Sequence, residues 1–440
     1  MRISVIGCGY LGAVHAACLA SLGHQVIGID TDTARVTTLN TAKAPFYEPG
    51  LDDMLESAIA AGNLRFSTDI AQAGSAQVHY LGVGTPQARD GGAADTSYLD
   101  AALEALLPVL SGTASQPVVI AGKSTVPVGT AARLATRIEA EADHAVLVWN
   151  PEFLREGTAI ADTLHPDRTV YGLPPQPGPA AAAVQVLEGV FGSTADHPVI
   201  HTDFATAELV KVAANGFLAT KVSFINAMAR LCDATGANVT ELAGAIGLDE
   251  RIGAKFLRAG VGYGGGCLPK DVRALIARAD ELDESDAVGF LREVDALNTG
   301  QRERLLEQAV SMLDGRIAGT PVAVLGASFK PDSDDLRDSP ALAVAQALAD
   351  QGMQVRITDP QASDAVRRTY PTLQVTDTIE HALQDVELVL LLTEWPQYVA
   401  LDPVQARQWV RSPRILDGRN ALDIGRWREA GWHYQGVGRR

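Results

Sequence analysis

The sequence predicts an α/β protein: two Rossmann-like, doubly wound domains joined by a long central helix and a helical middle region. Three observations predict it. The first thirty residues read as strand, glycine turn, helix and strand. A unit of the same design recurs late in the chain, at Pro321–Asp359. Between them, Thr202–Gly236 holds a helical pattern without a single proline. The expected division is 1–201, 202–300 and 301–440.

The opening unit runs from "RISVIG", a short β-rich run, through "CGYLGAVHAACLASLG", which is helical and stopped by Gly23, to "HQVIGID", a second strand ending in Asp30. Gly7, Gly9 and Gly12 stand in G-x-G-x-x-G spacing. Such glycines permit a tight turn and a close backbone approach to a pyrophosphate, which the helix N-terminus then attracts. The pattern alone is weak; following a strand and opening a helix, it is much stronger. Asp30 ends the next strand, where an acid accepts from a ribose 2′-OH and repels a 2′-phosphate, so NAD is expected rather than NADP, with Arg35 close by. Cys8 reads as a small filler in the turn, and Cys18 and Cys232 as buried helix residues.

Three further strands follow, "QVHYLGVGTP", "PVVIAGKSTVP" and "AVLVWNPEF". Ligands of open α/β sheets lie beyond the carboxyl ends of the strands, so their polar ends are the places to look. One offers Lys123, Ser124 and Thr125; another offers Glu152 and Glu156. Two carboxylates there suit acid/base work and ribose binding, although Asn150 and Pro151 equally read as the start of a surface helix. "GLPPQPGP" (Gly172–Pro179) is expected to be a surface loop.

The late unit aligns without a gap: "LADQGMQVRITD" against "LASLGHQVIGID". Its turn, "GASFKPDSDDLRDS", lacks the dinucleotide glycines but carries Lys330 and Arg337, suited to a different phosphorylated ligand.

On the central helix, Lys211 and Asn215 are four residues apart and share a face. Either they are a buried pair in need of partners, or a solvated lysine and a surface asparagine. The loop "GVGYGGGCLPKD" then presents Cys267, with Lys270 and Asp271 following. Backbone N–H groups and a lysine favour a thiolate. A thiolate traps an aldehyde as a thiohemiacetal, which loses a second hydride to give a thioester that water hydrolyses. The alternative is an inert cysteine beside a tight loop.

Composition narrows the partners. Net charge is −17 and pI about 4.9, a poor basis for binding nucleic acid or an anionic membrane. Four scattered cysteines form no C-x-x-C pair, and nine histidines show no metal spacing, so neither a disulfide framework nor a metal is expected. The densest apolar run, "VELVLLL", is far short of the ~20 residues of a membrane span. A cytoplasmic address is the simplest.

Read in order, "GCGYLG", "APFYEPGL", "KSTVPVGT", "NPEFLREGTAIADTLHPDRTVYG", "ELVKVAAN", "GYGGGCLPKDVRAL", "ASFKPDSDDLRDSPAL" and "LDGRN" resemble the UDP-glucose/GDP-mannose dehydrogenase family nearly end to end. The resemblance implies an NAD-dependent four-electron oxidation of UDP-glucose to UDP-glucuronate; GDP-mannose or UDP-N-acetylmannosamine is the alternative substrate. It implies Cys267 as nucleophile, Asp271 as base for the hydrolytic water, Lys211 and Asn215 at the oxyanion, and Thr125 and Glu152 holding water and moving a proton. NAD would meet Gly7, Gly9, Tyr10, Leu11, Gly12, Asp30, Arg35, Thr125, Glu156, Lys270 and Arg337. The nucleotide sugar would meet Phe153, Leu154, Lys211, Asn215, Phe256, Tyr263, Gly264, Phe329, Lys330 and Arg419, and Arg251 would reach it from the neighbouring subunit of a homodimer. One departure is that the family loop often reads G-G-S-C-F-P-K-D, whereas Gly266 and Leu268 stand here. A β-hydroxyacid dehydrogenase would pair a similar first domain with a Lys/Asn helix but has no use for Cys267 or a second α/β domain. A mere NAD-sensing module has no use for the Lys, Asn, Cys and Asp set.

Overall fold

A computed structural model describes residues 1–89, 91–111, 117–191 and 197–439. The chain forms two compact units: Met1–Ala214 with Ala277–Leu282, and Asn215–Ile276 with the chain from Asp283 onward.

The first unit is built on eight strands: β1 Arg2–Ile6, β2 Gln25–Ile29, β3 Leu64–Ser67, β4 Val78–Leu81, β5 Val118–Gly122, β6 Ala145–Trp149, β7 Thr169–Leu173 and β8 Val199–Asp203. Their order is β3-β2-β1-β4-β5-β6-β7-β8. Every neighbouring pair is parallel except β6/β7. Central strands such as β4 and β5 are apolar and buried along their length, as a parallel sheet covered on both faces requires.

The second unit has six strands: β9 Pro321–Leu325, β10 Gln354–Thr358, β11 Gln374–Val375, β12 Leu388–Leu391, β13 Arg414–Asp417 and β14 His433–Gly436. They run β11-β10-β9-β12-β13-β14, all parallel, which repeats the order of the first six strands of the other sheet. The sequence match has a structural counterpart. The helix before β2 ends with Gly23 at φ 87°, and the one before β10 with Gly352 at φ 90°. The Gly7 N–H donates to Ile29 O at 2.8 Å, and the Gly326 N–H to Thr358 O at 2.9 Å.

The long helix runs Phe204–Thr235. Asp203 caps it, its carboxylate accepting from the Thr206 N–H at 2.8 Å. The following helices are Leu268–Glu281 and Gly289–Met312. Two expectations change. "GLPPQPGP" is no extended loop: β7 ends at Leu173 and a helix starts at Pro177, where a fixed φ and a missing N–H suit a first turn. Asn150 and Pro151 open no helix; the next one is Ala159–Leu164. No described helix is long and apolar enough to cross a membrane.

Candidate active site

In the first unit the glycine turn is fixed by sterics. Gly7 sits at φ 89°, and a Cβ on Gly12 would lie 1.8 Å from Gly7 O. A Cβ on Gly9 would meet nothing within 4 Å, so the turn is open on that side, as a close approach by a pyrophosphate would need. The helix Tyr10–Ser21 starts here with no acid in its first turn. Asp30 is buried, accepts from the Cys8 N–H at 2.8 Å and the Asp32 N–H at 2.9 Å, and pairs with Arg35 at 3.0 Å. Open turn, bare helix end and buried acid together suit a dinucleotide with a free ribose 2′-OH.

Beyond the sheet's carboxyl edge, Lys211 Nζ pairs with Glu152 Oε1 at 2.9 Å, both nearly buried. Glu152 Oε2 accepts from the Leu154 N–H at 2.8 Å, which holds this irregular segment. Phe153 lies under two cations, Arg168 at 3.9 Å and Lys211 at 5.7 Å from its ring centre. Thr125 follows β5, and its carbonyl accepts from the Thr85 hydroxyl at 2.6 Å. Lys123, 5.8 Å above the Tyr80 ring, has its pKa pushed down to about 8 by burial, against the pull of Glu152.

In the second unit, Cys267 is exposed and directly precedes the helix Leu268–Glu281, its carbonyl accepting from the Asp271 N–H at 2.9 Å. The other three cysteines are buried. Asp271 is 1% exposed. Its Oδ2 accepts from Asn215 Nδ2 at 2.6 Å and its Oδ1 from Lys270 Nζ at 2.6 Å. Asn215 is therefore a buried residue with a charged partner, not a surface asparagine. The glycines of the loop are there for close packing: a Cβ on Gly264 would lie 2.4 Å from Asp338 O, and one on Gly260 2.6 Å from Gly418 O. Gly266 leaves room that the Arg337 guanidinium fills, 2.3 Å from where a Cβ would stand.

That loop walls a cavity of about 250 Å³ whose lining includes Phe256, Arg258, Tyr263, Lys330, Glu394 and Arg419, with Gly264 and Phe329 also in its wall. Phe256 is held at φ 65°, an uncommon backbone for a non-glycine residue. Arg419 donates to Leu392 O at 2.7 Å, Gly262 O at 3.3 Å and Phe329 O at 2.6 Å. Burial pulls its pKa down, opposed by Glu394. Arg337 is paired with Asp335 at 2.7 Å, and Arg251 is exposed and paired with Asp249 at 2.6 Å.

Several supporting residues were not singled out from the sequence. Asn298 accepts from the Tyr263 N–H at 2.8 Å and donates to Tyr263 O at 3.0 Å. Asn226 accepts from the Gly260 N–H at 2.9 Å, and Gln301 donates to Gly260 O at 3.1 Å. The one signal for them was an amide on an otherwise apolar helix face. Glu48 lies 5% exposed within the first unit. Among the described residues no cluster of three His, Cys, Asp or Glu is placed to hold a metal ion.

Three family models of the UDP-glucose/GDP-mannose dehydrogenases match in succession: the NAD-binding domain over residues 1–188, the central domain over 205–300 and the UDP-binding domain over 323–424. The chain belongs to this family. As a member it is an oxidoreductase that uses NAD, held by the first of these domains. Among its relatives, a UDP-glucose 6-dehydrogenase of Rhizobium meliloti (strain 1021) is 39% identical over 444 residues, 100% of each chain. One of Pseudomonas aeruginosa PAO1 is 39% identical over 452 residues, covering 100% of this chain and 98% of the relative. Among solved structures, a UDP-glucose dehydrogenase from Pyrobaculum islandicum has TM-score 0.89 at 35% identity, covering 100% of this chain and 98% of that one. A UDP-D-ManNAc dehydrogenase from Pyrococcus horikoshii has TM-score 0.85 at 25% identity, covering 100% and 99%.

Proposed function

We propose that this family member oxidises UDP-glucose to UDP-glucuronate in two two-electron steps, using Cys267 as a covalent nucleophile. The observation that carries the proposal is the exposed Cys267 at a helix N-terminus, one turn ahead of a buried Asp271 held by Asn215 and Lys270. The full-length relatives named as UDP-glucose 6-dehydrogenases support the substrate.

NAD, when bound, accepts one hydride for each two-electron step. The first step removes a hydride and a proton from the C6 alcohol and leaves an aldehyde. Cys267, its anion favoured by the helix N-terminus, forms a C–S bond to the carbonyl carbon, and the C=O electron pair moves to oxygen. Lys211 and Asn215 stabilise that oxyanion. Loss of the second hydride from the same carbon gives a thioester. Asp271 takes a proton from water as its oxygen attacks, the C–S bond breaks, and the thiolate leaves the carboxylate product. The sum is one alcohol, one water and two NAD giving one carboxylate, two NADH and three protons. Thr125 and Glu152 hold the water and pass the proton. Glu156, Arg35, Lys270 and Arg337 contact the dinucleotide. Lys330, Arg419, Phe256, Tyr263 and Phe329 hold the UDP.

We assign the chain to the cytoplasm and to a homodimer. The long helix exposes Phe217, Phe224 and Leu231, 66%, 48% and 57% accessible and seven residues apart, an apolar stripe suited to a second copy. Arg251 then serves the partner's site. A monomer in light scattering at micromolar concentration would remove that part.

The decisive test is the NADH yield from limiting UDP-glucose with excess NAD. About two NADH per sugar is expected from the covalent route. About one would end the role of Cys267. None, with turnover of GDP-mannose or UDP-N-acetylmannosamine, would move the substrate and keep the chemistry.

A further inference from the structure

Glu48 is a buried acid that the proposed chemistry does not use. It precedes a Pro-Gly turn in which Gly50 takes φ 80° and the Leu51 N–H donates to Glu48 O at 3.2 Å, which fixes where its side chain starts. Its Oε1 accepts from the Ala159 N–H at 2.8 Å, and its Oε2 from the Gly157 N–H at 2.6 Å and from the Tyr10 hydroxyl. The Gly157 N–H also lies 3.2 Å from the Tyr10 oxygen. Among the described residues no ion pair is made to Glu48, so backbone N–H groups and one phenol balance its charge.

Each end of this cluster belongs to something that matters. Tyr10 is the first residue of the helix that opens at the glycine turn, and its ring packs on Phe46 at 4.8 Å. Burial and the bond to Glu48 push the Tyr10 pKa upward, so it stays a hydrogen-bond donor. Gly157 and Ala159 end the irregular segment that carries Glu152 and Glu156. Thr158 gives the helix Ala159–Leu164 no side-chain cap, and Glu48 supplies its N-terminal acceptor from outside. Arg155, on the other side of Glu156, is tied to Asp162 at 2.5 Å. Glu156 is thus clamped between two fixed points.

We propose that Glu48 is a positioning residue that links the dinucleotide turn, through Tyr10, to the segment bearing Glu152 and Glu156, so that NAD affinity and the order of that segment are coupled. The consequence for catalysis rests on the roles proposed above for Glu152 and Glu156; the coupling itself does not. Coupling is reciprocal: bound cofactor must order the segment as much as the ordered segment favours cofactor.

The test is NADH binding by fluorescence titration and amide exchange at Gly157 and Ala159, with and without NADH. Neither reads turnover. Glu48→Gln keeps the shape but turns one acceptor into a donor facing an N–H. Its NADH affinity is expected to fall by about fivefold or more, roughly one hydrogen bond, while UDP affinity stays within about twofold. NADH should protect the Gly157 and Ala159 amides in the wild type and not in the variant. Tyr10→Phe should weaken NADH by a smaller factor, and Glu48→Gln with Tyr10→Phe should be no weaker than Glu48→Gln alone, because both break one linkage. Additive losses would mean that Tyr10 acts only by touching cofactor, and would overturn the proposal. So would unchanged NADH affinity in a Glu48→Gln protein that melts cooperatively. Should Glu48→Gln fail to fold, Tyr10→Phe decides: retained affinity and amide protection overturn the coupling, and loss of both supports it. A wild type that binds NADH but not UDP would sink the substrate reading and leave this test intact.

Discussion

Gly9 and Gly12 stand three residues apart in one motif, yet the structure predicts opposite consequences for the same added methyl group. At Gly12 a Cβ would stand 1.8 Å from Gly7 O and 2.9 Å from Gly7 C, where real Cβ atoms keep beyond about 3.0 Å. The backbone must separate by more than ~1 Å. It cannot do so freely, because the Gly7 N–H is bonded to Ile29 O at 2.8 Å and a Cβ on Gly7 itself would meet Val83 at 2.8 Å. Overpacking costs about 1–3 kcal/mol, and a clash with pinned backbone belongs at the upper end. For a unit of this size that lowers the melting temperature by roughly 6–12 °C. Gly12→Ala should therefore be less stable and bind NADH poorly. At Gly9 the Cβ meets nothing within 4 Å and the backbone, φ −66° and ψ −163°, is open to alanine. Gly9→Ala should melt with the wild type or slightly above it. If the pyrophosphate approaches on that open side, the methyl group obstructs it, and NADH affinity should fall by about tenfold or more, ~1.4 kcal/mol. Thermal melts with NADH titration separate the two effects. A Gly12→Ala protein of wild-type stability would refute the steric reading of the turn. Undiminished NADH affinity in Gly9→Ala would refute the placing of the pyrophosphate.

Three further outcomes are expected. The Lys123 pKa of about 8 lies below that of an unfolded lysine, so the unfolded chain holds more protons between pH 8 and 10.5, and stability should rise with pH across that window. Lys123→Met should remove this slope and stabilise the protein at pH 7 by about 3 kcal/mol, read from melts at each pH; a variant with the wild-type slope would show the lysine to be well solvated. Arg419→Lys cannot reach three carbonyls at once. Each charged hydrogen bond lost is worth about 1.5–3 kcal/mol, so calorimetry should show UDP affinity down at least roughly tenfold, and equal affinity would make the fork dispensable. Asp271→Asn should slow thioester hydrolysis by about 10²–10⁴-fold, giving a rapid burst of NADH followed by slow turnover and an acyl mass on Cys267; steady turnover without a burst would take the base away from Asp271.

What was legible in the sequence follows from range. The glycine turn and Asp30 could be read because their constraints act within one βαβ unit: a tight turn, a close backbone pair, an acid at a strand end. The helical middle could be read from its periodicity and its lack of proline. Partners at a distance could not be read. Lys211 and Asn215 fit either of two readings until Glu152 and Asp271 were seen beside them, 59 and 56 residues away in the chain. Nothing local in the sequence sets Glu48, Asn226, Asn298 or Gln301 apart from other polar residues. Their work, holding backbone N–H and C=O groups of loops that lack regular structure, is visible only once the loops are folded.

The two sheets show why fold alone would have misled. Both units place an aspartate at the end of the second strand of the same topology, Asp30 after β2 and Asp359 after β10. In the first unit, among the described residues, the carboxylate accepts from two backbone N–H groups and pairs with the partly exposed Arg35. In the second, Asp359 is saturated by its own unit: Oδ2 accepts from Ala327 N–H, Ser328 N–H, the Ser328 hydroxyl and Trp395 Nε1, and Oδ1 from Gln361 and Ala362 N–H. Nothing is left for a ribose to bind. The turn beside it carries Phe329 and Lys330 in place of open glycine, and these line the cavity with Arg419. One chain thus uses the same strand order twice, once with a strand-end acid that keeps a partly exposed arginine as partner and once with that acid spent on structure beside a cavity walled by neighbouring loops.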